Sequence, residues 1–453
     1  MAAALVVGLL ALYVALQRGE IASYDGSIMA QVARHFVDHF SLRVTDDVYG
    51  VNSPYASYGI GVSLAAAPLY VIQKVGGTTG PHHQFWVLLV NPLLLAATAV
   101  VLFRIGRALS WSRAQSLGVG AVFGVLTMAP WQSTELFSEP GVTLGLCLAV
   151  LGLVRFRAGR RRGPWLVGSG LALAVLFRTD SLLLGGIALV TLPAFVDRDR
   201  LRQWRAWVPQ LALPLVAVGL WVGYYNHLRT GSPFRGYEHG GFTASLWTGL
   251  HGLIYAPGKG FWWYDPLLLL AIPGLVLLWR RDRAVTMALV LLAAVRFLFY
   301  ARWDAWPGGT CWGPRFLFPL CALLAIPSVA AIAWLRQRAG WRRGAGSALV
   351  GVLALAAAVL TVLSVWVPYE RFWIDTTVAR GVPPTRARAV VYEQEYDSYW
   401  ALSGSQIWSN ARHLDRAAPF PLARFRGGPR YAGVAALLVA LAATGLAVQS
   451  SRS

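Results

Sequence analysis

The stretch "IASYDGSIMAQVARHFVDHF", Ile21–Phe40, decides how the rest of the chain is read. It follows the first apolar run and opens with an acid, Asp25. Apolar residues then recur at Ile28, Met29, Val32, Phe36, Val37 and Phe40. That is a helical period, with Gln31, Arg34, His35 and Asp38 on the polar side. The segment is predicted to be a helix lying on a membrane surface. Asp25 stands at its N-terminal end, where the helix dipole favours a carboxylate. A capping role and a chemical role are both open for it.

The surroundings make this a membrane protein. The chain has 453 residues, 56% hydrophobic and 13% charged, with a mean hydropathy of +0.52. Apolar runs recur along its whole length, as a polytopic helical protein requires. About twelve spans are expected. The first six are Ala3–Leu16, Phe85–Val101, Leu117–Met128, Gly141–Val154, Trp165–Phe177 and Leu182–Val196. The next six are Trp207–Tyr225, Leu267–Leu278, Val285–Tyr300, Phe316–Trp334, Ala348–Val367 and Tyr431–Val448. The formal charge of +20 would suggest nucleic acid in a soluble protein. Here the charge is arginine clustered in short loops, which is a topology signal, and nucleic acid is not an expected partner. Cys147, Cys311 and Cys321 have no metal-type spacing, and two fall within spans, so no disulfide framework is expected.

The arginine clusters set the orientation. "RFRAGRRRG" (Arg155–Gly163), "RDRLRQWR" (Arg198–Arg205), "RRDR" (Arg280–Arg283) and "RQRAGWRR" (Arg336–Arg343) occupy alternate loops. Those loops and both termini are placed in the cytoplasm. Arg18, just past the first span, is the exception. There is no basic n-region ahead of the first span, so a cleaved signal peptide is not expected. The expected organisation is a single unit, 1–453. Its longest extracytoplasmic loops are 19–84, with juxtamembrane helices, and 368–430. No internal repeat is visible, which disfavours an inverted-repeat transporter.

The outer loops hold most acids, histidines and non-span aromatics. Asp46 and Asp47 follow the surface helix. "VNSPYASYGIGVSLAAAPLYVIQK" (Val51–Lys74) has turn chemistry at Ser53-Pro54, then a short apolar helix limited by Pro68. His82 and His83 sit at the mouth of the second span as polar anchors or a weak metal pair. Glu135 and Glu139 would share a face if their segment is helical. Arg178 and Asp180 form an outer turn and would neutralise each other. In "GLIYAPGKGFWWYDP" (Gly252–Pro266), Lys259 tops a glycine turn whose backbone N–H groups suit an anion. In "WDAWPGGTCWGPRFLFP" (Trp303–Pro319), Arg315 starts a span at its outer end. That position opposes the positive-inside bias, so it needs a local reason, and phosphate is one.

This constellation resembles the GT-C superfamily of glycosyltransferases. The superfamily includes the protein O-mannosyltransferases and the aminoarabinose transferase of lipid A. "SPYASYGIGVSLAAAPLY", "APGKGFWWYDPLLLLAIPGL" and "WGPRFLFPLCALLAIP" carry the likeness, which covers most of the chain in organisation. The resemblance implies an all-α polytopic fold and an inverting glycosyltransferase, hexosyl- or pentosyl-type, of a bacterial plasma membrane. It implies a polyprenyl-phosphate sugar donor and a glycan, lipid or protein acceptor, with membrane lipids around the bundle. Asp25 maps to the catalytic base, and Lys259 and Arg315 to the donor phosphate. Glu135 or Glu139 maps to the acid before the fourth span, and Asp46 and Asp47 are supporting acids. Tyr58, His82, His83, Arg178, Asp180, Tyr237, Tyr264, Trp306 and Trp312 are candidates for the sugar and acceptor pocket. No cofactor is required; a divalent metal is neither indicated nor excluded. The C-terminal domain that several cell-wall members use for a polymer acceptor is not recognisable, so such an acceptor is not expected. Two other readings compete: a transporter or flippase of a lipid-linked sugar, and a polysaccharide polymerase or ligase. Acids clustered in loops rather than mid-span favour surface chemistry over transport.

Overall fold

The computed structural model describes residues 2–44, 54–78, 84–236, 241–309, 311–368, 372, 399–414, 421–424 and 439. Asp46, Asp47, His82, His83 and Tyr237 lie outside the described residues, as do nearly all of the last expected span and much of 368–430.

The described chain is helical. Its helices are α1 (Ala2–Ala15), α2 (Tyr24–His39), α3 (Gly61–Val75), α4 (Val90–Ala108), α5 (Arg113–Val125), α6 (Glu139–Arg157), α7 (Gly163–Phe177) and α8 (Leu182–Phe195). There follow α9 (Trp204–Thr230), α10 (Leu246–Ile254), α11 (Ala271–Arg281), α12 (Arg283–Arg302), α13 (Phe318–Arg336), α14 (Gly340–Trp366) and α15 (Gln406–Arg412). Among the described residues, six helical stretches are long and apolar enough to cross a membrane: Phe85–Ala108, Glu139–Arg157, Trp204–Thr230, Arg283–Arg302, Arg315–Arg336 and Gly340–Trp366. Four more apolar helices are shorter. The chain is a multi-pass membrane protein, and among the described residues six of the twelve expected crossings are long enough to span.

Small residues let the central helices touch. A Cβ added to Gly145 would stand 2.5 Å from the Gly170 carbonyl, and one on Gly152 would stand 2.5 Å from the Val167 nitrogen. This close backbone approach of α6 and α7 maximises dispersion contact where lipid removes the hydrophobic drive between helices.

The surface helix forms as its periodicity requires. Ile28, Met29 and Val32 are buried, and Phe40 ends α2 in a left-handed conformation with its N–H on the His35 and Phe36 carbonyls. Ser23, not Asp25, holds the cap position, with Asp25 in the first turn. The helix after Tyr58 is also longer than expected: α3 runs through Pro68 to Val75. Pro68 is exposed, so its ring meets no neighbouring element and the helix continues past the lost N–H. Arg18 has a local reason for its place. Its guanidinium donates to the carbonyls of Ser364, Val365 and Val367 at 3.3, 3.1 and 3.1 Å. It thereby satisfies the open C-terminal end of α14.

Candidate active site

The loops after α1, before α6, after α7 and after α12 converge at one end of the bundle. The opposite end carries the arginine-rich turns; there Arg157 and Asp282 pair at 2.6 Å.

Asp25 reaches its place through several anchors. The Gln17 side chain donates to the Ser133 carbonyl at 2.6 Å, and Ser23 N–H donates to Glu135 Oε2 at 3.1 Å. Asn91 donates to the Glu135 carbonyl at 2.6 Å. Gly26 lets the first turn of α2 lie against this loop, since a Cβ there would stand 2.9 Å from the Leu136 carbonyl. Glu135 therefore orients the start of α2. It shares no helical face with Glu139, because the segment between them is not helical.

The Asp25 carboxylate is divided between two partners. Tyr58 Oη donates to Oδ1 at 2.8 Å. Arg315 Nη2 pairs with Oδ2 at 2.8 Å. The carboxylate is drawn to partners distant in sequence, and the cap position is left to Ser23. Side-chain exposures of 21% for Asp25 and 12% for Arg315 leave the pair partly open. The guanidinium carbon of Arg315 lies 4.6 Å from the Phe137 ring centre and 5.1 Å from that of Phe316. Arg315 Nε is buried and has no hydrogen-bond partner among the described residues. A buried donor of a charged group left unspent demands an explanation.

Beneath Arg315 lies a second charged layer. Arg178 bridges Glu139 at 3.0 Å and Asp180 at 3.3 Å. The Tyr300 hydroxyl donates to the other Asp180 oxygen. Burial would raise the Asp180 carboxyl, but Arg178 and Arg296 beside it hold it below the usual carboxylate range. Arg296 donates twice to the Phe316 carbonyl, at 3.1 and 2.6 Å. The Phe316 ring stacks on Tyr300 at 4.6 Å and lies under Arg178 at 4.8 Å. Arg178 and Asp180 do neutralise each other, within a larger network. Arg296 and Tyr300 were missed at the sequence level. A charge inside the run "MALVLLAAVRFLFY" was the available signal.

Lys259 is placed differently from expectation. It is 0% exposed rather than at an open tip. Its ammonium donates to the carbonyls of Cys311, Gly309 and Gly313 at 2.8, 3.0 and 3.4 Å. The turn offers no open anion nest. Gly258 N–H goes to the Tyr399 carbonyl, and the N–H groups of Lys259 and Gly260 go to Ala256. The aromatics expected to line a pocket are packed as well. Trp306, Trp312 and Tyr264 are buried. Trp306 lies against Tyr399, Trp312 meets Tyr264 edge to face, and the Tyr264 hydroxyl donates to the Gly258 carbonyl. Among the described residues, no three His, Cys, Asp or Glu side chains group as a metal site.

No protein-family model and no curated protein matches the chain. Solved structures do. ArnT from Cupriavidus metallidurans in the apo state superposes with a TM-score of 0.56 at 15% identity, over 90% of this chain and 74% of that one. ArnT bound to undecaprenyl phosphate gives 0.56 at 14% identity, over 90% and 76%. The oligosaccharyltransferase of Archaeoglobus fulgidus, in its apo form, gives 0.52 at 12% identity, over 88% of this chain and 60% of that one. Both are GT-C glycosyltransferases, and this chain has their fold. At such identities the likeness is one of fold.

Proposed function

We propose that this chain is an inverting glycosyltransferase. It moves a sugar from a polyprenyl-phosphate donor to an acceptor hydroxyl on the extracytoplasmic face of a bacterial plasma membrane. The observation that carries this reading is the Asp25–Arg315 pair, 2.8 Å apart and partly open, at the end of the bundle away from the arginine-rich loops. Support comes from the shared fold and from what its relatives' descriptions say they hold: undecaprenyl phosphate in one ArnT structure, an acceptor peptide in one oligosaccharyltransferase structure.

The chemistry needs two groups. An acceptor O–H attacks the anomeric carbon as the bond from that carbon to the phosphate oxygen breaks. The proton passes to an Asp25 oxygen, and the electron pair leaves with the phosphate. Negative charge grows on the leaving oxygen, where a preorganised guanidinium stabilises the transition state. Arg315 has a donor to spend there beyond its bond to Asp25. A phosphate on Arg315 competes with Asp25 for the guanidinium and releases the carboxylate to act as base. Tyr58 keeps the released carboxylate oriented. A monophosphate leaving group needs no metal in this scheme. Lys259 is assigned to the backbone beside Arg315 rather than to the phosphate.

The test is transfer by detergent-purified protein from a set of polyprenyl-phosphate sugars, with the anomeric configuration of the product read by NMR. Inversion is expected. A product of retained configuration would refute single-step displacement. Uptake of a lipid-linked sugar across vesicles without transfer would favour a flippase.

A further inference from the structure

Lys259 presents a full positive charge to an uncharged cage. Its ammonium has three donors, and three backbone carbonyls, of Gly309, Cys311 and Gly313, take them, with the uncharged Cys311 thiol beside them at 3.5 Å. Among the described residues no carboxylate pairs with it; the Tyr399 ring stands 5.7 Å from the nitrogen. The loop bends inward because Gly308, Gly309 and Gly313 adopt φ of +79°, +68° and +64°, a region that favours glycine. Convergent carbonyls of this kind replace the hydration shell of a small monovalent cation.

The same loop is wrapped on Arg315. A Cβ on Gly308 would stand 3.0 Å from Arg315 Cγ, and Arg315 N–H donates to the Gly313 carbonyl at 3.1 Å. Gln406 pins the loop from outside, donating to the Cys311 carbonyl at 2.7 Å and accepting from Gly313 N–H at 3.2 Å. Without a cation, three carbonyl dipoles would converge on a buried space, each held by its other donor, Cys311 N–H on Gly309, Gln406 on Cys311 and Arg315 N–H on Gly313, and the loop would loosen.

We propose that the carbonyls of Gly309, Cys311 and Gly313 form a monovalent-cation site, that Lys259 fills it with a tethered ammonium, and that this holds Arg315 against Asp25. Lys259 is thus a positioning residue acting through Arg315. The second half rests on the transferase reading; the cation site does not.

Two arms keep these apart. In Lys259→Ala the lost side chain beyond Cβ has the size of propylammonium. Propylammonium or ammonium chloride should raise the unfolding midpoint of this variant by about 2 °C or more, and leave the wild type unchanged. Tetramethylammonium chloride at equal ionic strength has no N–H and should do nothing. Equal effects of all three salts, or no folded Lys259→Ala even when extracted with the amine, would overturn the cation site. This arm needs no enzymatic activity. In the second arm, Lys259→Ala should lose transfer by about tenfold or more through a raised KM for the donor, and regain it with propylammonium. The double variant Lys259→Ala/Arg315→Met should lose no more than Arg315→Met alone, because both act through one guanidinium. Lys259→Arg keeps the charge but not the compact donor geometry, and should not substitute. Full activity in Lys259→Arg, or additive losses in the double variant, would overturn the positioning role. Absence of transfer in the wild type with every donor would instead refute the transferase reading and leave the first arm standing.

Discussion

Arg315 and Lys259 stand at the same end of the bundle and touch the same glycine loop, yet their surroundings are opposite. Arg315 meets a carboxylate, two aromatic faces and partly open space, and keeps a donor in reserve. Lys259 meets three backbone carbonyls, the Cys311 thiol and the face of Tyr399, and all three of its donors are used. A cation that serves chemistry has to remain exchangeable between partners. A cation that serves structure is spent on groups that cannot leave. Two basic residues with similar neighbours in sequence therefore part into different roles once their acceptors are known.

The comparison is sharpened first at Lys259. Lys259→Met keeps most of the volume and removes the charged donor, while each of the three carbonyls keeps another hydrogen bond. At about 1.5–3 kcal/mol for hydrogen bonding to a charged group, a loss near 2 kcal/mol is expected, read as a lower unfolding midpoint in detergent. A midpoint within error of the wild type would break the distinction.

Arg315→Met comes next. Asp25 is partly exposed and can hydrate, so stability should change little. Use of the donor should fall by about ten- to a hundredfold, or about 1.5–3 kcal/mol for a charged hydrogen bond to phosphate. Steady-state kinetics against donor concentration measure it, and unchanged values would remove Arg315 from the site.

The smallest effect lies where α2 is clamped to α3. Asp38 accepts from Lys74 at 2.6 Å and from Tyr70 at 3.1 Å. The Lys74 hydrogen bond, opposed by burial and aided by Tyr70, holds the Asp38 carboxyl below its usual value. A lowered carboxyl stabilises the fold above its unfolded value, and the gain is lost as pH falls through the folded value. Because Lys74 is largely exposed, solvent screens the pair and the gain is small. Asp38→Asn should lose that gain at pH 7 and nothing further at pH 3. Unfolding midpoints at the two pH values check it; an equal acid-induced drop in variant and wild type would assign the clamp no role.

How much of this was legible in the sequence follows from the range of each interaction. The period of Ile28, Met29 and Val32 is local, and α2 forms as it dictates. The capping role left open for Asp25 falls to Ser23, two residues earlier. The partner of the Asp25 carboxylate is Arg315, 290 residues away, which no local pattern announces. The pairing of Arg178 with Asp180 was visible because the two are only two residues apart on the chain. Its extension to Glu139 and Tyr300 was not. Lys259 looked like the tip of an open turn because glycine and proline announce a turn without saying what covers it. Here Tyr399 and Gln406 do, from a segment over 130 residues later. Arg18 broke the charge rule in sequence and is explained only by the end of α14.

The central claim is that Asp25 takes the acceptor's proton beside Arg315. Asp25→Asn tests it most directly, since the amide keeps the shape but cannot accept a proton at neutral pH. Sugar transfer from a polyprenyl-phosphate donor is measured alongside donor binding by the same purified protein. The account predicts transfer reduced by about a hundredfold or more with donor binding nearly intact. Near-normal turnover in Asp25→Asn would contradict it and leave the carboxylate as an anchor for Arg315 alone.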